Sequence, residues 1–209
     1  MMDNIIFSLT GKAGSGKDLV GEMIKLYLKE LDMTGFTLAF ADPLKTHCMR
    51  NFGYENKDDD RHILQEFGTK VREIEPLFWV RQTYNTIDAF RSMFDVFIIT
   101  DCRYENEMKP YPWSICYPIV NVLIKRDNSY DLGKDGGHES EQLANVGDES
   151  KFHYVIDNNG TFENTYKQVV NMVNDVLMKK IEFVHDLKEI SPEFEEQFGK
   201  VIEEMSNVG

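Results

Sequence analysis

The sequence predicts an α/β protein built on a five-stranded parallel sheet with helices on both faces. Three observations carry that expectation. Five short apolar runs, Ile5–Thr10, Phe36–Phe40, Val96–Thr100, Ile119–Ile124 and Tyr154–Ile156, are continuous instead of alternating, as in strands buried on both faces. Helical patterns separate them, as parallel strands require. A glycine-rich loop, GKAGSGKD at Gly11–Asp18, joins the first run to the first helical pattern.

The first helix is set by Val20, Met23, Ile24, Tyr27, Leu28 and Leu31, which fall on one helical face. The second run closes on Ala41-Asp42-Pro43, which reads as a turn. Residues 43–94 are helical in pattern and form an insertion between the second and third strands. The third run ends on Asp101, and the fourth leads into SYDLGKDGG, Ser129–Gly137, a polar loop. Thr161 reads as the N-cap of a long helix marked by Phe162, Tyr166, Val169, Val170, Val173, Val176 and Leu177, expected to pack back on the sheet. From Glu182 the chain is acidic, either a solvated helix or a partner-binding segment. The expected organisation is a domain over 1–181 and an acidic tail over 182–209.

Composition limits the function. The 209 residues suit one sizeable core carrying an insertion. A net charge of -13 argues against polymeric nucleic acid as a partner, though a few focused Lys and Arg side chains can still bind a small anion. No apolar run reaches the length that spans a bilayer, and the first residues do not read as a signal peptide. Cys48, Cys102 and Cys116 are odd in number and lack CxxC spacing, which fits reduced thiols in a cytoplasmic protein. His47, His62, His153 and His185 form no metal-ligand spacing.

Four motifs carry chemistry. In GKAGSGKD, Gly11, Gly14 and Gly16 let backbone N–H groups converge on phosphate oxygens, and Lys17 reaches the outer phosphates. Asp18 stands where the usual pattern has a Ser or Thr to hold magnesium. It either serves Mg²⁺ or simply favours the positive end of the helix. In DVFIITDCRYENE, Asp101 leaves a buried strand at the end where α/β sheets bind ligands, suited to orienting an acceptor or serving the metal. Arg103 either neutralises transferring charge or pairs with Glu105 or Glu107. In GGHESEQL, His138 alone reads as a surface residue; Arg126 and Lys134 could close over phosphates. IDNNGT, Ile156–Thr161, reads as a turn whose amides could meet an adenine edge. The insertion adds Lys45, Arg61, Gln65, Arg72 and Trp79, a grouping that could grip a monophosphate and line a base pocket.

Taken together, GKAGSGKD, FADPLK, LQEFGT with Arg72 and Trp79, TDCRYENE and HESE resemble the deoxynucleoside monophosphate kinases of bacteriophages, within the wider P-loop nucleoside monophosphate kinase fold. The resemblance covers about Ile5 to Val176 in the expected order, and Lys-Asp is usual in that group. It implies a three-layer α/β/α fold with a monophosphate-binding segment at about 42–94 and a lid at about 127–142. It implies ATP and Mg²⁺, small-molecule substrates and a cytoplasmic setting, that of the host if the chain is phage-encoded; a homodimer is left open.

Carried residue by residue, the resemblance places ATP at Gly11, Ala13, Gly14, Ser15, Gly16, Lys17 and Asp18. It makes Asp157–Thr161, with Asn158 and Gly160, the adenine edge, and Arg126 is a further ATP-binding candidate. The acceptor side takes Asp42, Lys45, Arg72, Trp79, Asp101 and Arg103, with Arg61, Gln65, Glu107, His138 and Glu141 as further candidates. Lys17, Arg103 and Asp101 are the catalytic candidates, and Asp18 and Asp101 the metal candidates. The lid is poor in arginine, and the acidic tail after Lys180 has no counterpart in the pattern. Two alternatives stay open: a P-loop kinase for another phosphorylated acceptor, of the phosphomevalonate or dephospho-coenzyme A kind, and a nucleotide-dependent switch.

Overall fold

The computed structural model describes residues 4–53, 61–109, 117–127, 143 and 149–187, with the side chains of 61 and 180–187 outside that description. The five expected strands are present: β1 (Ile5–Thr10), β2 (Gly35–Leu38), β3 (Val96–Ile99), β4 (Ile119–Lys125) and β5 (Tyr154–Asp157). They form one sheet in the order β2-β3-β1-β4-β5, and every neighbouring pair is parallel. All six residues of β1 are buried, as are all four of β3, which explains their unbroken apolar sequences. β1 is central, with Phe7 opposite Ile98 on one side and Val120 on the other. The chain runs from β1 toward one edge and from β4 toward the other. Ligands of such sheets bind outside the carboxyl ends of the strands where the order reverses, here around the end of β1.

Helix α1 (Lys17–Glu30) follows the glycine loop and buries Val20, Met23, Ile24 and Leu28, the expected face. The insertion folds as α2 (Ala41–Phe52), α3 (Arg61–Ile74) and α4 (Phe78–Phe90). It has a small core of its own, in which Leu44, Cys48 and Trp79 are buried against Ile63, Leu64, Phe67, Val71 and Phe78.

The start of α2 corrects one expectation. Ala41-Asp42-Pro43 is the first turn of a helix, not a turn closing a strand, and β2 ends at Leu38. The reason is a long-range cap. Asp101, at the end of β3, accepts hydrogen bonds from the N–H groups of Phe40 (2.6 Å) and Ala41 (2.9 Å). Pro43 fits a first turn, where its missing N–H has no intrahelical partner to lose.

The final helix, α5, spans Phe162–Leu187. Thr161 caps it as expected, its Oγ1 accepting the N–H of Asn164 at 3.3 Å. The chain divides into two compact units, Met1–Val170 and Asn171–Gly209, and α5 crosses between them. In its first turns Thr165 and Val169 are fully buried. The expected tail from residue 188 and most of the lid, with Lys134, His138 and Glu141, lie outside the described residues. Among the described residues no helix is long and apolar enough to cross a membrane. Cys48 and Cys102 are unpaired and buried; Cys116 lies outside the described residues.

Candidate active site

The glycine loop has the geometry of an anion cradle. β1 delivers the chain to Gly11, where a Cβ would stand 2.7 Å from the Ile124 carbonyl oxygen, so only glycine fits. Gly14 and Gly16 adopt φ values of 76° and 94°, the left-handed region that costs other residues energy. Gly16 is the N-cap of α1 and offers no side-chain cap. The start of α1, with no side-chain cap, carries the N–H groups and positive dipole that favour phosphate at a helix N-terminus. Lys17 folds over the loop, its Nζ donating to the carbonyls of Gly11 (2.6 Å) and Lys12 (2.9 Å). Asp18, in the first turn of α1, faces the same space.

Next to the end of β1, on the neighbouring strand, stands the end of β3. Asp101 uses one carboxylate oxygen for each of the two α2 amides, so it joins the sheet to the insertion. Burial pushes its carboxyl upward, while the Ala41 amide, Arg103 and the Phe40 amide pull it down. Asp42 turns the other way, accepting the Ala39 N–H at 2.9 Å and pairing with Lys45 at 3.2 Å.

Glu107 organises the remaining side. It lies in a 3₁₀ turn, Glu105–Met108, and is buried. Its Oε2 accepts the N–H groups of Arg103 (2.7 Å) and Tyr104 (3.1 Å), and its Oε1 faces Arg72 at 3.6 Å. The Arg72 guanidinium lies over the Tyr104 ring, 4.1 Å from its centre. Glu105, the other expected partner for Arg103, pairs with Lys151.

Burial, then the charge of Asp101, push the Glu107 carboxyl up to about 7 from an ordinary 4.5, against the Arg103 amide, Arg72 and the Tyr104 amide. The folded protein therefore holds this proton more tightly than the unfolded chain. Stability from the group is complete below its ordinary value and is lost as pH rises toward 7. A shift of this size corresponds to about 3 kcal/mol. Glu107→Gln keeps the shape but not the titration. Its melting temperature should gain on wild type by about 5–10 °C between pH 5 and pH 7.5. A difference between the two proteins that stays flat over that range would overturn the assignment.

These groups open onto one cavity of about 320 Å³, within the range of small-ligand sites. Ala13, Gly14, Lys17 and Asp18 of the glycine loop and helix α1 line it together with Lys45, Gln65, Arg72, Asp101, Arg103 and Glu107. Phe40, Leu44 and Leu64 supply apolar lining, and Thr100 and Tyr104 also face the cavity. Four cations meet three carboxylates here, in a chain whose net charge is -13. The cleft is thus a local reversal of the overall charge, suited to an anionic ligand.

Several expected residues stand elsewhere. Trp79 is 1% exposed and donates its indole N–H to the Gly68 carbonyl at 3.2 Å, packing the insertion instead of lining the cavity. Asp42 is outside the lining. Arg126 and Gly160 are exposed, and Asn158 is buried beneath the glycine loop. Arg61 opens α3, its side chain outside the description. Tyr104 went unnoticed in the sequence, although its place directly after Arg103, off a buried strand, was the available signal. Among the described residues no group of three or more His, Cys, Asp or Glu could hold a metal.

No family model matches the chain, and no curated protein matches it. Among solved structures it is similar to the crystal structure of APE1195, with a TM-score of 0.45 and 15% identity over 84% of this chain and 98% of that one. It is also similar to shikimate kinase from Acinetobacter baumannii in complex with shikimate, with a TM-score of 0.45 and 13% identity over 86% of this chain and 96% of that one.

Proposed function

We propose that the chain is an ATP-dependent kinase that transfers the γ-phosphoryl group to a deoxynucleoside 5′-monophosphate, giving ADP and the diphosphate. One observation carries the reading: a phosphate cradle and a second cationic face open onto the same cavity. Two anionic phosphates meeting end to end need that arrangement. The cradle and Lys17 hold the donor; Lys45, Arg72 and Arg103 hold the acceptor. The acceptor oxygen is already anionic, so no strong base is required, and positioning with charge neutralisation supplies the rate. Gln65 and the apolar wall of Phe40, Leu44 and Leu64 suit a base and its sugar. Mg²⁺, when bound, would spread the charge of the donor phosphates.

Asp18 is the proposed magnesium partner within this scheme. Asp18→Asn should raise the Mg²⁺ concentration for half-maximal rate about tenfold, and Asp18→Ser should recover part of the loss. If the metal titration is the same in all three proteins, Asp18 serves only the α1 dipole.

The reading itself is tested with a coupled assay of ATP consumption. The four common deoxynucleoside monophosphates and their ribose counterparts are offered one at a time. A kinase consumes ATP only when an acceptor is present. Slow hydrolysis that no acceptor changes would replace this reading with a nucleotide-dependent switch.

A further inference from the structure

We infer that Asn158 is a positioning residue for the phosphate loop, holding the Ser15–Gly16 peptide in its phosphate-binding orientation without touching the nucleotide. The inference rests on reading Gly11–Asp18 as a phosphate site. It departs from the expectation that the loop after β5 meets an adenine edge through this side chain.

A loop that aims its amides inward at phosphate turns carbonyls outward, and each buried one needs a donor. For Ser15 the donor comes from 143 residues away: Asn158 Nδ2 donates to the Ser15 carbonyl at 2.8 Å, in a buried bond. The carbonyl can only accept, so the amide must present its nitrogen there. Thr165 fits the same orientation, its Oγ1 donating to Asn158 Oδ1 at 3.0 Å, with the Thr161 carbonyl farther off at 3.4 Å. The Asn158 backbone N–H is bonded in turn to the Lys125 carbonyl at 2.9 Å. Asn158 is therefore fixed to β4, to α5 and to the glycine loop at once.

The trans peptide plane transmits this fixing. The carbonyl of Ser15 and the N–H of Gly16 share one plane and point in opposite directions. Fastening the carbonyl to Asn158 aims the Gly16 N–H away from Asn158. Gly16 also lacks the Cβ that would collide with Asn158 Nδ2. Glycine is thus required there twice, for its φ of 94° and for the close approach of Asn158. Ser15, wholly buried, has no exposed route by which water could replace the amide.

The test compares binding of ATP and of inorganic tripolyphosphate by calorimetry. Tripolyphosphate carries no base, so it reports the loop alone. Asn158→Asp sets a carboxylate against the Ser15 carbonyl and should weaken both ligands by about tenfold or more. Thr165→Val keeps the shape of α5 but frees Asn158 Oδ1, and should weaken both by about threefold. It carries the test if the aspartate variant fails to fold. Weakened ATP with unchanged tripolyphosphate would mean that Asn158 reads the base, and the inference falls. Unchanged binding of both ligands in both variants also overturns it. A wild-type protein that binds neither ligand overturns the phosphate-site reading itself, and with it this inference.

Discussion

Lys17→Ala should reduce single-turnover phosphoryl transfer by about 10²–10³-fold, the usual loss when one preorganised charge donor is removed. The fold should survive. Lys17 is half-buried at the first position of α1, and its ammonium makes two bonds to carbonyls of the loop it covers. No core cavity opens when it is shortened. Those two bonds, made to Gly11 and Lys12, also show how the lysine is held in readiness. Its charge is kept over the cradle by carbonyls, which a phosphate outcompetes because a charged acceptor bonds ammonium more strongly. Lys17→Met, which keeps the length and loses the charge, should behave like the alanine variant. A rate within a few-fold of wild type in either protein would remove the assignment of GKAGSGKD as the donor site.

What the sequence disclosed follows from how local each determinant is. Parallel strands buried on both faces must be apolar throughout, so β1 and β3 were legible as unbroken runs. The phosphate loop was legible because its parts are contiguous: a buried strand, three glycines, a lysine and an amphipathic helix. The start of α2 was not, since its cap is Asp101, 60 residues further along the chain. Asn158 looked like turn chemistry for the same reason, because its partner Ser15 is 143 residues away. Trp79 was ambiguous on chemical grounds. An indole on an amphipathic helix can floor a pocket or fill a core, and the Gly68 carbonyl that satisfies its N–H settles the matter only once α3 and α4 are packed. Glu107 shows the deeper limit. Its burial and its nearness to Asp101 make it a different acid from the exposed Glu105 two residues before it, and no local pattern separates them.

Arg103 is expected to dominate the transfer step itself. Beside it, Glu105 pairs with Lys151, and Glu107 faces Arg72 and accepts two backbone amides. The bond between Arg103 and Glu107 comes from the Arg103 backbone N–H, which survives any substitution. The guanidinium lines the cavity, close enough to Asp101 to favour its ionised form. Arg103→Ala should therefore lower kcat on the order of 10³-fold, with a smaller change in KM for either substrate. It should also cost some stability at neutral pH, because the buried Asp101 carboxylate loses a compensating charge. Arg103→Lys separates the two effects. A lysine restores the charge beside Asp101 and with it most of the melting temperature. It cannot bridge two phosphates with a planar fork, so kcat should stay low. Recovery of kcat and melting temperature together would show that Arg103 acts through Asp101 and the α2 cap. Loss of stability in both variants with kcat retained would make it a structural partner only.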